Sequence, residues 1–109
     1  MSFKRFLSLV EALRQSSTFP AIDAVEERML NSMAATWHSG KRITVMEAMH
    51  MFPGISPSTV HRRLKSLRAQ GMIELVSDEV DTRIKYVTAS RRADEYFASL
   101  NRCMLEAQH

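Results

Sequence analysis

The segment from residue 55 to residue 71, ISPSTVHRRLKSLRAQG, has the side chains best suited to interaction with a charged partner. It contains four strong cations and one histidine, and it has no acidic residue. The cations are Arg62, Arg63, Lys65 and Arg68. A surface of this charge attracts polyanions, including the phosphate backbone of nucleic acids. A basic helix can also simply present a hydrated surface to solvent. The neighbouring elements are therefore needed to distinguish the two interpretations.

Other reactive side chains are not spaced for catalysis or for metal binding. The four histidines and Cys103 never approach the spacing of metal ligands, and the three glycines form no phosphate-binding loop. No serine or cysteine has a partner base marked by the sequence. Cys103 lies in an apolar pattern between Leu100 and Met104, which favours a buried thiol over a redox sensor. We therefore expect no enzyme activity, no metal and no cofactor.

Length and composition are those of one folded domain. The chain has 109 residues, of which 45% are hydrophobic and 25% charged, and we expect a single domain over residues 1–109. The net charge of +3 is too small to identify a partner by itself. No apolar run is long enough to cross a membrane, and a single cysteine excludes an internal disulfide bond. These features predict a cytoplasmic protein without a membrane partner.

Two amphipathic helices are predicted near the start of the chain. Apolar residues spaced three or four apart predict the first helix over about residues 2–15. These residues are Phe3, Phe6, Val10 and Leu13. A second apolar stripe, from Ile22 to Trp37, starts at a capping box formed by Asp23 and Glu26.

Two more helices are predicted in the middle of the chain, and the second of them is the basic segment. The run KRIT, residues 41–44, is short and β-leaning and predicts a short strand. Thr44 and Glu47 form another capping box, which predicts a short helix over about 45–52 that ends at Pro53 and Gly54. The basic helix is predicted over about 57–70. Its signals are Ser56 as N-cap, Pro57 at the first position, a buried face of Val60, Leu64 and Leu67, and Gly71 after the end.

After Gly71 the pattern changes to that of strands. MIELVS and RIKYVT are β-rich runs joined by DEVDT, a polar segment of hairpin length. From Ala89 onwards a last helix is predicted. Short helix, basic helix and hairpin in this order are typical of a winged helix-turn-helix, a mainly α fold with a small β-hairpin wing (α+β). We expect its DNA-binding core over residues 43–88.

In such a domain the helix over about 57–70 is the recognition helix. Arg62 and Lys65 point away from its apolar face, so they could reach base edges in a major groove. Ser58 and Thr59 lie in its first turn, where backbone N–H groups and hydroxyls favour a phosphate.

The hairpin over residues 72–88 is the predicted wing. Arg83 and Lys85 are suited to phosphates or to the adjacent minor groove, and we expect Asp81 to hold Arg83 in position. The full set of predicted DNA-contacting residues is Ser56, Ser58, Thr59, His61, Arg62, Arg63, Lys65, Arg83 and Lys85.

The sequence from residue 55 to residue 90 resembles the DNA-binding core of MarR-family transcription regulators. The resemblance rests on Ser58-Thr59-Val60, Leu67 to Ile73, Asp81-Thr82-Arg83 and Val87-Thr88. It implies a homodimer on a pseudo-palindromic operator, with each recognition helix in a major groove and each wing arginine at a minor groove. It also implies dimerisation through the first and last helices. The function expected from it is sequence-specific transcription regulation, in the simplest case as a repressor that occupies its operator.

The terminal helices, over residues 1–16 and 89–109, are the predicted dimer interface. A small winged domain cannot cover both of their apolar stripes, and a long exposed stripe is a liability in a monomer. The residues expected there are Phe3, Phe6, Val10, Leu13, Tyr96, Phe97, Leu100 and Met104. The alternative is that the two helices pack on each other within one chain.

The sequence leaves two further alternatives open. The domain could be a winged-helix protein–protein interaction module in a replication, plasmid-maintenance or phage assembly, although such a face has no need to exclude acids as residues 56–70 do. A small-molecule effector of unknown identity could bind among the methionines, or these could simply pack the core. The methionines concerned are Met29, Met33, Met46 and Met49.

Overall fold

Five helices and a three-stranded antiparallel sheet make up the described part of the chain, residues 2–16 and 19–108 of a computed structural model. The elements are α1 (Phe3–Arg14), α2 (Ala24–His38), β1 (Ile43–Thr44), α3 (Val45–Met49), α4 (Pro57–Ala69), β2 (Ile73–Ser77), β3 (Lys85–Ala89) and α5 (Arg91–Ala107). The strand order is β1-β3-β2. Short helix, basic helix and hairpin therefore follow one another as the sequence predicts.

Both predicted capping boxes are confirmed. At the start of α2, Glu26 N donates to Asp23 Oδ1 at 2.8 Å and Asp23 N donates to Glu26 Oε1 at 3.2 Å. At the start of α3, Glu47 N donates to Thr44 Oγ1 at 3.0 Å and Thr44 N donates to Glu47 Oε1 at 3.1 Å. Each box satisfies N–H groups that a helix start leaves unpaired, which is why the sequence fixes both starts.

Two predicted boundaries are wrong. The short helix α3 ends at Met49 rather than at residue 52, because Phe52 precedes Pro53 and that position disfavours helical backbone. Phe52 instead turns into the core, where it is 4% exposed. The last helix begins at Arg91 with Ser90 as its N-cap, not at Ala89, because Ala89 pairs with Ile73 as the final residue of β3.

The third strand of the sheet, β1, confirms the short strand predicted just before α3. Its pairing with the hairpin is the part that the sequence does not predict. Ile43 lies opposite Val87, which in turn lies opposite Leu75 on the hairpin's other strand. The side chains of Ile43 and Val87 are buried, at 2% and 0% exposure. The wing is thus anchored to the segment that leads directly into α3.

The core lies between α2, α4 and the sheet. Its fully or almost fully buried side chains come from all three: Met29, Leu30 and Met33 from α2, Val60, Leu64 and Leu67 from α4, and Ile73 and Val87 from the sheet. The predicted buried face of α4 is therefore confirmed. Met29 and Met33 pack this core, whereas Met46 is 71% exposed.

Helices α1 and α5 pack on each other within the chain. Ser2 N donates to the carbonyl oxygen of Ala107 at 3.3 Å and Arg5 Nε donates to that of Glu106 at 3.2 Å, so the start of α1 lies at the end of α5. Val10 is 8% exposed and Tyr96 is 4% exposed. The structure thus places these two residues of the predicted dimer interface in the chain's own packing, as in the alternative raised from the sequence.

A polar network fixes α4 against α2 and α5. Gln70 Nε2 donates to Glu26 Oε2 at 3.2 Å, and the residue Glu26 is only 3% exposed. Arg63 forms an ion pair with Asp23 and has an Nη1 that lies 3.9 Å from Glu26 Oε1. From the other side, Arg92 Nη1 donates to the carbonyl oxygen of Gln70 at 2.6 Å. The bonds from α2 and from α5 meet at Gln70, directly after the end of α4.

We expect the buried carboxylate of Glu26 to contribute more to the free energy of unfolding than a helix cap alone would. Glu26→Ala should lower the free energy of unfolding by about 2–3 kcal/mol, because it removes the cap bond and leaves the Gln70 amide without its buried acceptor. Glu47→Ala is the matched control, since Glu47 occupies the same capping-box position in α3 but is exposed. It should cost about 0.5–1 kcal/mol. Urea denaturation measures both, and equal costs would contradict the role of Glu26 in holding α4.

Candidate nucleic-acid interface

The outward face of α4 presents cations to solvent. Arg62, Lys65 and Arg68 are exposed, as are Ser58 and His61. The helix contains no acidic residue. The side chains expected to point outward from the sequence periodicity therefore do so, and the face they form is positively charged over its whole length.

The first turn of α4 gathers three hydroxyl groups and one guanidinium. Ser56 Oγ caps the helix by accepting from Thr59 N at 3.3 Å and also bonds Thr59 Oγ1 at 2.9 Å. Ser58 Oγ lies 3.3 Å from Ser56 Oγ, and Arg62 Nη2 donates to Thr59 Oγ1 at 3.4 Å. A helix start with clustered hydroxyls and a nearby arginine is suited to an anion such as a phosphate.

Arg63 differs from the other cations of α4. It is half-buried, and its guanidinium is paired with Asp23 and lies near Glu26. Its charge is balanced inside the molecule, so its geometry is that of a residue that joins α4 to α2. Arg68 is exposed, like Arg62 and Lys65.

In the wing, Asp81 holds Arg83. Arg83 Nε donates to Asp81 Oδ1 at 3.0 Å and Arg83 Nη2 donates to Asp81 Oδ2 at 3.0 Å, a bidentate arrangement. These bonds lower the pKa of Asp81 below its ordinary value and raise the pKa of Arg83. The Arg83 side chain is 89% exposed. An arginine that would otherwise be mobile is thus pre-oriented at the surface.

Asp78 builds the turn at the tip of the wing. Its Oδ2 accepts from the backbone N–H groups of Val80 and Asp81, both at 3.0 Å, and its Oδ1 accepts from the Tyr86 hydroxyl at 3.1 Å. The backbone bonds from Asp81 and Val80, and then the Tyr86 bond, lower the pKa of Asp78. The Arg42 guanidinium stacks 3.6 Å from the centre of the Tyr86 ring. Two of the three tip acids therefore have partners that explain their presence beside a basic surface.

The remaining predicted wing contact is Lys85, which is exposed and whose Nζ donates to Ser77 Oγ across the hairpin. Arg83 and Lys85 both line an open groove that also borders His61 of α4. The structure thus brings the wing cations and His61 of α4 to the two sides of one surface.

The residues that join the end of α4 to α2 and α5 are not evident from the sequence. The sequence pattern predicts that Glu26 caps a helix, but it does not predict the contacts of Gln70 and Arg92. The bond between Gln70 and Glu26 joins residues 44 positions apart, and no local sequence pattern predicts such a pairing.

Two other kinds of site have no candidate within residues 2–16 and 19–108. No cluster of three or more His, Cys, Asp or Glu side chains there could hold a metal ion. In the same part of the chain, no helix has the length and apolar character needed to cross a membrane.

The wing should loosen in acid through its two aspartates. Their folded-state pKa values lie below the ordinary value of about 3.9, so their contribution to wing order is complete above that value and is lost as the pH falls through the lowered pKa values. In an NMR titration, the amide resonances of Val80 and Asp81 should shift with midpoints below 3.9. Asp78→Asn should remove most of this pH dependence and broaden the wing resonances at neutral pH. A midpoint at or above the ordinary value would contradict the bonding described.

Solved structures of transcriptional regulators share this fold. The transcriptional regulator Tm0710 from Thermotoga maritima aligns with a TM-score of 0.63 at 15% identity, over 96% of this chain and 66% of that one. The heme sensor protein PefR from Streptococcus agalactiae, in complex with heme, gives 0.63 at 15%, over 95% and 67%. The adhesin competence repressor AdcR from Streptococcus pyogenes gives 0.56 at 22%, over 96% and 74%. No protein-family model and no curated protein matches the sequence.

At these identities the similarity concerns the fold. The chain spans 66% of the length of Tm0710 and nearly all of its own length takes part in the alignment. The fold class predicted from the sequence is thereby confirmed: the chain has the winged helix-turn-helix fold of these transcriptional regulators.

Proposed function

We propose that the chain is a sequence-specific DNA-binding transcription regulator. In this proposal α4 enters the major groove and the wing, residues 72–88, reaches the adjacent minor groove. The observation that carries it is the outward face of α4, which is cationic and free of acids and belongs to a fold shared with transcriptional regulators. A module for protein assembly would not require such a face.

The side chains of α4 divide into two groups in this proposal. Arg62 and Lys65 read or anchor DNA from the exposed face, and Ser58 and Thr59 bind phosphate at the first turn. Arg63, although in the middle of the same helix, has a structural role because its charge is already paired with Asp23.

The wing supplies a second contact through Arg83. An arginine inserted in a minor groove gains from the negative potential there, and its bond to Asp81 reduces the conformational freedom that binding would otherwise remove. Lys85 is placed for a phosphate on the path between the two grooves.

We further propose that two copies associate through the ends of α1 and α5. Large apolar side chains stay open there after α1 and α5 have packed on each other: Phe3 is 68% exposed, Leu7 48%, Met104 42% and Leu105 50%. They lie at one end of the helix pair, since the start of α1 meets the end of α5. A second copy that covers them would form a homodimer, which suits a pseudo-palindromic operator and repression by occupancy.

A comparison of neighbouring arginines tests the DNA-binding proposal. A duplex is first selected from random DNA with the parent protein. Arg62→Ala should cost about 1–3 kcal/mol of discrimination against altered bases while its stability to urea stays within about 0.5 kcal/mol. Arg63→Ala should do the reverse, with a loss of about 1 kcal/mol in stability and an unchanged base preference. A parent protein that fails to bind any duplex even at low salt would end the proposal.

Charge placed in the apolar patch tests the dimer. Leu7→Glu should give a monomer in sedimentation at concentrations where the parent is a dimer, because a carboxylate would be buried in the interface. Val80→Glu is the control: Val80 is 95% exposed in the wing and lies far from the proposed interface, so this variant should sediment as the parent does. A dimer of Leu7→Glu as stable as the parent would show that this patch is not the contact.

A further inference from the structure

An open groove runs between α3, α4 and the wing. Its larger part has a volume of about 640 Å³, and a smaller part of about 240 Å³ continues along α4. The two parts share Val45, His61 and Leu75, so they form one continuous surface, the α3–wing groove. It opens on the same side of the molecule as the exposed residues of α4.

The floor of the α3–wing groove is apolar. Met46 from α3 is 71% exposed and Ile84 from the wing is 38% exposed. Met49 and Leu75, both half-buried, complete the floor. Large apolar side chains left open and surrounded by polar groups are typical of a contact surface, and methionine adapts its shape readily to a partner.

The rim of the groove is basic on both sides. Arg83 and Lys85 border it from the wing, and Lys65 and Arg68 border its continuation along α4. None of the described residues that line either part is acidic. Asp81 lies beside the rim, where it is bound to Arg83. A partner that fits must therefore carry negative charge at its edges and apolar surface between.

We propose that the α3–wing groove binds the sugar–phosphate backbone of the DNA strand that separates the major groove from the minor groove. This inference rests on the proposed function, since α4 in one groove and Arg83 in the next oblige that strand to cross between them. Its deoxyribose rings offer C–H surface to Met46 and Ile84, and its phosphates meet the basic rim. A base edge would need donors and acceptors on the floor, and an apolar peptide would leave the rim cations without partners.

The test measures affinity and salt dependence separately. With the duplex selected by the parent protein, Met46→Gln should weaken binding about fivefold, the scale of partly burying one apolar side chain, and leave the slope of log K against log salt unchanged. Lys85→Ala should instead flatten that slope by about one unit, because one phosphate contact is lost. A Met46→Gln variant with the parent's affinity would overturn the inference.

Matched substitutions inside and outside the groove provide the control. Ile84→Thr in the groove should weaken binding by a similar factor. Val76→Thr should not, because Val76 is 45% exposed but lines neither part of the groove. Equal effects of the two threonines would show a loss of wing structure rather than of a contact, and would also overturn the inference.

The same duplex with uracil in place of thymine identifies what the floor touches. Met46→Gln should weaken binding by the same factor on both duplexes, because deoxyribose is unchanged. If the loss disappears with uracil, the floor contacts thymine methyl groups and the sugar assignment is wrong. A parent protein that binds no duplex would refute the proposed function itself, whereas a parent that binds with an unaffected Met46→Gln variant refutes only the groove.

Discussion

The orientation of α4 depends on the buried carboxylate of Glu26. A charge with so little exposure is costly unless it is hydrogen-bonded and paired. Its partners are the backbone N–H of Asp23, the amide of Gln70 and the nearby guanidinium of Arg63. Because Arg63 belongs to α4 and Gln70 directly follows it, any rotation of α4 on its apolar contacts would take both of these partners away from the carboxylate. Apolar packing holds α4 in the core, and this network selects one orientation of its exposed face.

The cations of α4 divide into one that holds structure and others that meet solvent. On α4, Arg63 is paired toward α2, while Arg62 and Lys65 have no acidic neighbour on their helix. In the wing, Asp78 is occupied by the backbone of the turn and Asp81 by Arg83. The acids at the tip thus fix the position of a cation, which is why an acidic wing is compatible with a basic surface.

The sequence predicts features that local chemistry determines. Both capping boxes, and Ser56 followed by Pro57, define helix starts because their bonds span three residues. The pairing of distant segments is not visible in such local signals. Ala89 belongs to β3 because Ile73 lies opposite it, and the short strand β1 joins the sheet because Ile43 lies opposite Val87. Periodicity likewise identifies Arg62 and Lys65 as outward-facing. It cannot reveal that Gln70, 44 residues away in sequence, bonds Glu26.

The end of α4 also connects the basic surface to the terminal helices. Arg92 of α5 donates to the carbonyl oxygen of Gln70, and Ser90 N donates to that of Met72 at 3.2 Å. Helix α1 in turn packs along α5, so the apolar patch at its start is joined to α4 through hydrogen-bonded elements rather than a loose linker. In a dimer formed through that patch, the separation of the two α4 helices would be set by α5. The half-site spacing of the DNA would then follow from the length and angle of one helix, because a two-fold pair of recognition helices fixes the distance between the grooves that they enter.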